Sequence, residues 1–187
     1  IHSIQLHIES LRTLLLSLES DNFEFDIIAI SESKIKKNTS PTVDISIDNY
    51  HSPISTPSEA NKGGVLLYVN KKLHPKPRPD LKIYEPKLLE SAFVEIINPK
   101  TSNDIIGVVY RHPLMPVDHF NDVHIRPLIT KLSLEKDKNI RIAGDFNVNL
   151  LNVSSHDASS EFFDILSSTH LLPTISIPTK FNSSGNY

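Results

Sequence analysis

Cysteine is missing from all 187 residues, which excludes a disulfide framework, thiolate zinc sites and cysteine nucleophiles. Long apolar runs are missing too. No stretch approaches the roughly 18 consecutive apolar residues of a membrane span, so no membrane partner is expected. Charge of a single sign is lacking as well: 19 Lys and Arg stand against 22 Asp and Glu, a formal net charge of -3. That balance excludes a strongly basic, histone-like nucleic-acid binder. It leaves room for a nuclease whose active site is itself acidic. Internal repeats and low-complexity tracts are also absent. What remains is an ordinary globular composition, 39% hydrophobic and 22% charged, in a chain long enough to bury about 70% of its unfolded surface as one domain.

Periodicity supplies the first elements. Ile4, Ile8, Leu11, Leu15 and Leu18 recur at spacings of four and three, one face of an amphipathic helix. Phe25 to Ile30 reads as a buried strand ended by the polar run Ser31-Glu32-Ser33-Lys34. The stretch from Lys36 to Asn61 is irregular, with one short strand expected near Val43–Ile47. Gly64 to Val69 is a second clear strand. Prolines 75, 77, 79 and 86 forbid regular helix in the basic connection after it. Leu89 to Ile97 and Ile105 to Tyr110, joined by turn-forming residues, are expected to pair as a hairpin. Val117 to Glu135 predicts a helix that Pro127 kinks or restarts. Ile140 to Ala143 predicts a strand, Ser159 to Ser168 a short helix, and the remainder to Tyr187 an extended segment. Helices interleaved with strands, connected by both hairpins and crossovers, point to an α/β fold with a mixed sheet.

Polar groups fall where strands end. Glu32 follows the first strand, Tyr110 closes the fourth, and Gly144-Asp145-Phe146-Asn147 follows the fifth. In open α/β sheets, ligands collect at the carboxyl ends of strands. Several strands delivering oxygen donors to one rim suit a hard cation such as Mg²⁺, which takes one or two carboxylates and keeps several waters. Asp145 and Asn147, two apart, share a side if the segment is extended. Gly-Asp-x-Asn is also ordinary turn chemistry, and a lone Glu or Tyr at a strand end is commonly solvated or packed. The order of these features in a single chain is what favours a site.

That order resembles the endonuclease/exonuclease/phosphatase superfamily, and within it the endonuclease domain of non-LTR (LINE-type) retrotransposons. The residues that carry the resemblance are Asp26 to Ser33, Gly63-Gly64-Val65, Leu89 to Ile96, Gly107 to Pro113, Ala143 to Asn147, and Ile177-Pro178-Thr179-Lys180, in the family's order over nearly the whole chain. Gly-Asp-Phe-Asn preceded by Tyr-Arg-x-Pro is the more specific part; Gly-Gly-Val alone is weak. The resemblance implies a four-layer α/β sandwich with mixed β-sheets. It also implies Mg²⁺-dependent phosphodiester hydrolysis by a DNA-nicking endonuclease whose reverse transcriptase lies elsewhere in a longer polyprotein. By position, Glu32 is similar to the family's metal-binding glutamate, and Asp145 to the aspartate that orients or deprotonates the attacking water. Asn147 is similar to the amide that holds the scissile phosphate, and Tyr110 to the tyrosine whose hydroxyl meets a phosphate oxygen or the nucleophile. Arg111 and Lys34 are the expected substrate contacts on the phosphate backbone, with Lys36 and Lys37 beside Lys34. The implied protein is a monomer, intracellular, and nuclear when acting on DNA.

Two departures accompany the resemblance. The family's opening strand asparagine has no counterpart in Ile1-His2-Ser3, and its closing aspartate and Ser-Asp-His motif do not occur before Tyr187. The chain therefore reads as a single domain over 1–187, truncated at both ends and impaired as an enzyme, since such groups act as a unit. Two alternatives stand beside this reading. One is an inositol-phosphate or phospholipid phosphatase of the same superfamily, against which Tyr-Arg-x-Pro argues. The other is a non-catalytic remnant.

Nine histidines do not fill the gap. His112 alone lies beside a candidate site residue and reads as a loop histidine rather than a catalytic one. His119 and His124 are five apart, not the helical four of a zinc pair, and are discounted. Lys62, Lys71, Lys72, Lys76, Arg78, Lys82 and Lys87 form a basic stretch that reads as a solvated, proline-stiffened loop in preference to a DNA track. Asn38, Asn152 and Asn182 match a glycosylation sequon by pattern only.

Overall fold

In the computed structural model of the chain, residues 2–35, 44–59 and 63–175 are described. Lys36, Lys37, Asn38, Lys62, Ile177 to Lys180 and Asn182 lie outside the described residues. The chain opens with helix α1 (His2–Ser20) and strand β1 (Ile27–Ser31), followed by β2 (Ile54–Thr56) and β3 (Val65–Val69). After β4 (Pro75–Pro77) and a single turn at Pro79–Leu81 come β5 (Leu89–Ile96) and β6 (Asp104–Arg111). A continuous helical segment runs through α2 (Val117–His119), a π-turn (Phe120–Ile125) and α3 (Arg126–Leu132). Then β7 (Asn139–Asp145), a tight turn at Leu150–Ser155 and α4 (Asp157–Ser167) complete the described elements.

Two sheets result. One is antiparallel, in the order β1-β3-β2; the other is mixed, in the order β4-β5-β6-β7, with β7 alone running parallel to its neighbour. The β5–β6 pair is the hairpin expected from the sequence, in register from Leu89–Arg111 to Ile96–Asp104.

Three buried clusters show that the layers stack α-β-β-α. Alternation along β5 and β6 decides which residues enter which layer. Ala92, Val94, Ile96, Val108 and Tyr110 point between the sheets and meet Val65, Leu67 and Val69 of β3. Leu89, Phe93, Ile105 and Val109 point the other way, onto Phe120, Ile125, Leu128, Ile129, Phe162 and Ile165 of the helical layer. On the far side of β3, Leu66 and Tyr68 pack with Tyr50 and Ile47, partly covered by Leu11 and Leu15 of α1. Strand β3 is buried on both faces, which is why it reads as a continuous apolar run. The four-layer α/β sandwich expected from the resemblance is the architecture found.

Some local expectations are corrected. Residues 44–47 form no strand; the third strand of the first sheet is β2, ten residues later, on β3. The proline-rich connection contains an edge strand, β4. Proline is admissible there because an edge needs hydrogen bonds on one side only. Pro127, expected to kink or restart the helix, is the second residue of α3, directly after the π-turn, so the helical segment restarts there as expected. No described helix is long and apolar enough to cross a membrane.

Candidate active site

The carboxyl ends of β1, β6 and β7 meet at one rim. Tyr110 on β6 is the register partner of Asp145 on β7 and of Glu90 on β5, so three side chains start from one row of the mixed sheet. Glu32 arrives from the facing sheet, one residue beyond β1. Its Oε1 accepts a hydrogen bond of 2.7 Å from the Tyr110 hydroxyl. Burial, with the Glu32 hydrogen bond and charge adding to it, pushes the phenol well above its ordinary value. The hydroxyl therefore stays protonated, and a donor, across the neutral range.

The backbone at this rim is unusual. Glu32 (φ 54°), Lys34 (φ 56°) and Asn147 (φ 50°) all occupy the left-handed region. Asn tolerates it; Glu and Lys do not do so readily, and such conformations concentrate where a site over-determines them. Contacts to the neighbouring loop hold the Glu32 turn: the Ser33 and Lys34 amides donate to the carbonyls of Gly64 and Gly63 at 3.0 and 2.8 Å. Gly63 has φ +95°, where any side chain would be strained, and a Cβ there would lie 2.8 Å from Glu90 Oε2. Gly144 is equally constrained. It has φ +136°, and a Cβ would fall 1.9 Å from the Val109 carbonyl oxygen.

The Asp145–Asn147 segment is a turn rather than an extended strand. The Asn147 amide donates to Asp145 Oδ1 at 3.1 Å, and the Asn147 side-chain Nδ2 donates to the Arg111 carbonyl at 2.7 Å. Between them Phe146 is anchored in the helical layer by Phe120 and Phe162, with ring centroids 6.5 and 5.6 Å away. Asp145 itself remains exposed.

Arg111 does not face the rim, contrary to the expected backbone contact. It is only 2% exposed. Its Nε donates to the Phe146 carbonyl at 2.6 Å, and its two terminal nitrogens donate to the carbonyls of Met115 and Asn147. Its guanidinium also lies 5.7 Å from the Phe120 ring centroid. Burial lowers its pKa, opposed by the charge of Asp145. The cause of its orientation is the strand period: Tyr110 points between the sheets, so the next residue points into the helical layer. Lys34, by contrast, is exposed and two residues from Glu32.

Glu90 was not singled out by the sequence. It is 1% exposed and shares the inter-sheet face with Tyr110. Burial pushes its carboxyl up, against a smaller opposing pull from the Gly64 backbone and the Ser58 hydroxyl. Alternation along β5 was the available signal: it puts a carboxylate among Ala92, Val94 and Ile96. The His112 ring stands 6.4 Å from that of Tyr110, with its Nδ1 accepting from the Leu114 amide at 3.2 Å.

Among the described residues, neither Glu32 nor Asp145 is ion-paired. Two exposed carboxylates, free of ion pairs among the described residues, are hard oxygen donors of the kind a divalent cation such as Mg²⁺ takes. The basic stretch is only partly the solvated loop expected: Lys76 lies on edge strand β4, and the Arg78 side chain is 11% exposed within an ion-pair network. Lys72 pairs with Glu24, Arg78 with Asp80, Glu95 and Glu135, and Lys82 lies over the Tyr84 ring. A separate concavity of about 870 Å³, lined by Asp118, Arg126, Glu161 and Asp164 among others, lies on the helical layer away from the rim.

No protein-family model matches the chain, and no curated protein matches it. Among solved structures, the human Nocturnin catalytic domain, with a bound sulfate anion, is similar over 86% of this chain, with a TM-score of 0.51 and 15% identity. ANGEL2, a 2′,3′-cyclic phosphatase, is similar over 75% of the chain with a TM-score of 0.48 and 10% identity. The chain spans 63% of the length of the first and 45% of the second. At such identities the likeness to Nocturnin is one of fold, and that fold is of the endonuclease/exonuclease/phosphatase type.

Proposed function

We propose that the chain is a phosphodiester hydrolase that nicks duplex DNA, the endonuclease part of a retroelement-type polyprotein with a reverse transcriptase domain. The observation that carries this reading is the rim itself. Glu32 is bonded to Tyr110 across the two sheets, with Asp145 in register beside them. Glu32 would hold the Mg²⁺, which when bound would neutralise charge on the phosphoryl oxygens.

The chain's own residues do the rest. Asp145, exposed and unpaired among the described residues, accepts the proton of the attacking water and aligns it. The Asn147 side-chain amide has two N–H groups and spends one on the Arg111 carbonyl; the other donates to a phosphate oxygen. The Tyr110 hydroxyl fixes the Glu32 carboxylate and stays protonated while doing so. Arg111 is a positioning residue: it ties the carbonyls of Phe146 and Asn147 to β6 and so holds the catalytic turn. Lys34, exposed beside Glu32, meets the DNA backbone. Action on chromosomal DNA puts the site of work in the nucleus.

The experiment is plasmid nicking by the purified chain, with Mg²⁺ against EDTA and an Asp145→Ala control. Metal-dependent conversion of supercoiled to open-circular plasmid, lost in the variant, is the expected result. Release of inorganic phosphate from inositol phosphates without nicking transfers the site to the phosphatase branch. A folded chain that does neither is a remnant, and the proposal fails.

A further inference from the structure

On the helical layer, three side chains from two distant segments converge. His119 Nε2 lies 2.9 Å from Glu85 Oε2, and His124 Nε2 lies 2.8 Å from the same oxygen. All three potential ligand atoms fall within 4.8 Å of one another. Five-residue spacing on an α-helix would set the two histidines about 140° apart around the axis, at about 100° per residue. The π-turn over Phe120–Ile125 changes that. It bonds residues five apart, as in the Arg126 amide to the Asn121 carbonyl, and brings residues 119 and 124 onto one face. Their rings stand 5.7 Å apart. The discounted histidine pair is therefore a pair after all, for a reason that an α-helical spacing rule does not contain.

Glu85 is equally fixed. Its amide donates to the Leu89 carbonyl at 2.9 Å, and its own carbonyl accepts from the Leu88 and Leu89 amides at 3.0 and 2.8 Å. That tight turn stands at the start of β5. Hydrogen bonds from His124 and His119 lower the Glu85 carboxyl below its ordinary value. The His124 side chain is 11% exposed, while His119 and Glu85, at 43% and 30%, leave the outer side open to water.

We propose that Glu85, His119 and His124 form a binding site for a borderline transition-metal dication, Zn²⁺ above all, with water in the fourth position. Two imidazole nitrogens and one carboxylate oxygen suit Zn²⁺ and not Mg²⁺. Bond lengths of about 2.0–2.1 Å in a tetrahedron set ligand atoms about 3.3 Å apart, so the two hydrogen-bond contacts need to open by only about half an ångström. The ion would crosslink the loop before β5 to the helical segment, 34 and 39 residues away in sequence. The site is separate from the Glu32 rim and independent of the activity proposed there.

The test is Zn²⁺ retention after dialysis, together with the visible absorption of the Co²⁺-substituted chain and its melting temperature. Variants are His119→Asn, which alters an exposed side chain, and Glu85→Gln. A Glu32→Gln chain removes the rim as a competing site. The expected result is one equivalent of Zn²⁺ more in the wild type than in His119→Asn, retained in Glu32→Gln. Affinity should fall about a hundredfold or more in Glu85→Gln, beyond the roughly 10–100-fold cost of losing an outer-shell partner. Saturating Zn²⁺ should raise the melting temperature by about 5 °C in the wild type and in Glu32→Gln, and leave His119→Asn unshifted. Equal Zn²⁺ retention by wild type and His119→Asn, or retention lost in Glu32→Gln and kept in His119→Asn, would overturn the proposal.

Discussion

The two ends of the β5–β6 hairpin treat their carboxylates in opposite ways. At the end away from the rim, Glu95, Asp104 and Glu135 are each matched to cations. Glu95 pairs with Arg78 at 3.1 Å and Lys138 at 2.8 Å, Glu135 with Arg78 and Lys138, and Asp104 with Arg141. Burial alone would raise the Glu95 carboxyl, but Lys138, Asn103 and Arg78 hold it down at about 2. At the rim end, eight strand positions away or fewer, Glu32, Glu90 and Asp145 have no ion pair among the described residues, and the backbone beside two of them is left-handed. One end spends its charge on holding the fold. The other leaves charge uncompensated, which is costly unless something else arrives to compensate it. The lesson is that the partners of a carboxylate, more than its presence, separate scaffold from site.

The contrast can be broken from either side. The largest effect should come at the rim. Asp145→Asn or Glu32→Gln is expected to cost about 10³–10⁴ in nicking rate, as removal of a member of a catalytic unit does, with the melting temperature unchanged or raised. A variant that lost stability instead of activity would make the rim a second scaffold. Next comes Gly144→Ala, where φ +136° and a contact of 1.9 Å to the Val109 oxygen predict a loss of about 3 kcal/mol or more in urea unfolding.

Glu95→Gln tests the far end. The folded value of about 2 lies below the ordinary 4.5, so the stabilisation is fully present above the ordinary value. It is lost as pH falls from about 4.5 towards about 2, and amounts to about 3 kcal/mol at neutral pH. The variant should lose that stability and flatten the acid limb of its stability-versus-pH curve, with nicking per folded molecule intact. Tyr110→Phe is milder. Losing one hydroxyl that orients Glu32 is expected to lower the rate about tenfold, with a weaker Mg²⁺ requirement curve as the readout. Smallest of all, Lys72→Ala on the exposed basic stretch should leave both melting and nicking undetectably changed.

The sequence was most informative where pattern and chemistry coincide. Strands β3, β5 and β6 announced themselves by apolar runs and alternation, and Glu32, Tyr110 and Asp145 by their places at strand ends; the structure puts Tyr110 and Asp145 in one row and brings Glu32 to it from the facing sheet. It was least informative where geometry departs from the common rule. A proline-bearing strand is invisible to β-propensity, yet β4 sits on an edge where proline is harmless. Arg111 was assigned to the rim because it adjoins Tyr110, although strand alternation sends adjacent residues to opposite faces. The spacing of His119 and His124 was judged by an α-helical rule that the π-turn does not obey. For β4 the missing information was its place in the sheet, and for Arg111 and the histidines it was the local period of the backbone.

The π-turn has a mechanical consequence. A helix with one surplus residue keeps the two sides of that residue out of phase by about 100° relative to an uninterrupted α-helix. Phe120 is fixed by Phe146 and Phe162 at one end of the turn, and Leu128, Ile129 and Leu132 are fixed in the core at the other. Deleting a single residue between them would restore an ordinary helix and oblige one anchor to rotate out of the core. The segment therefore works as a calibrated spacer. Its residue count, independent of which side chains it carries on its outer face, sets where His119 and His124 point.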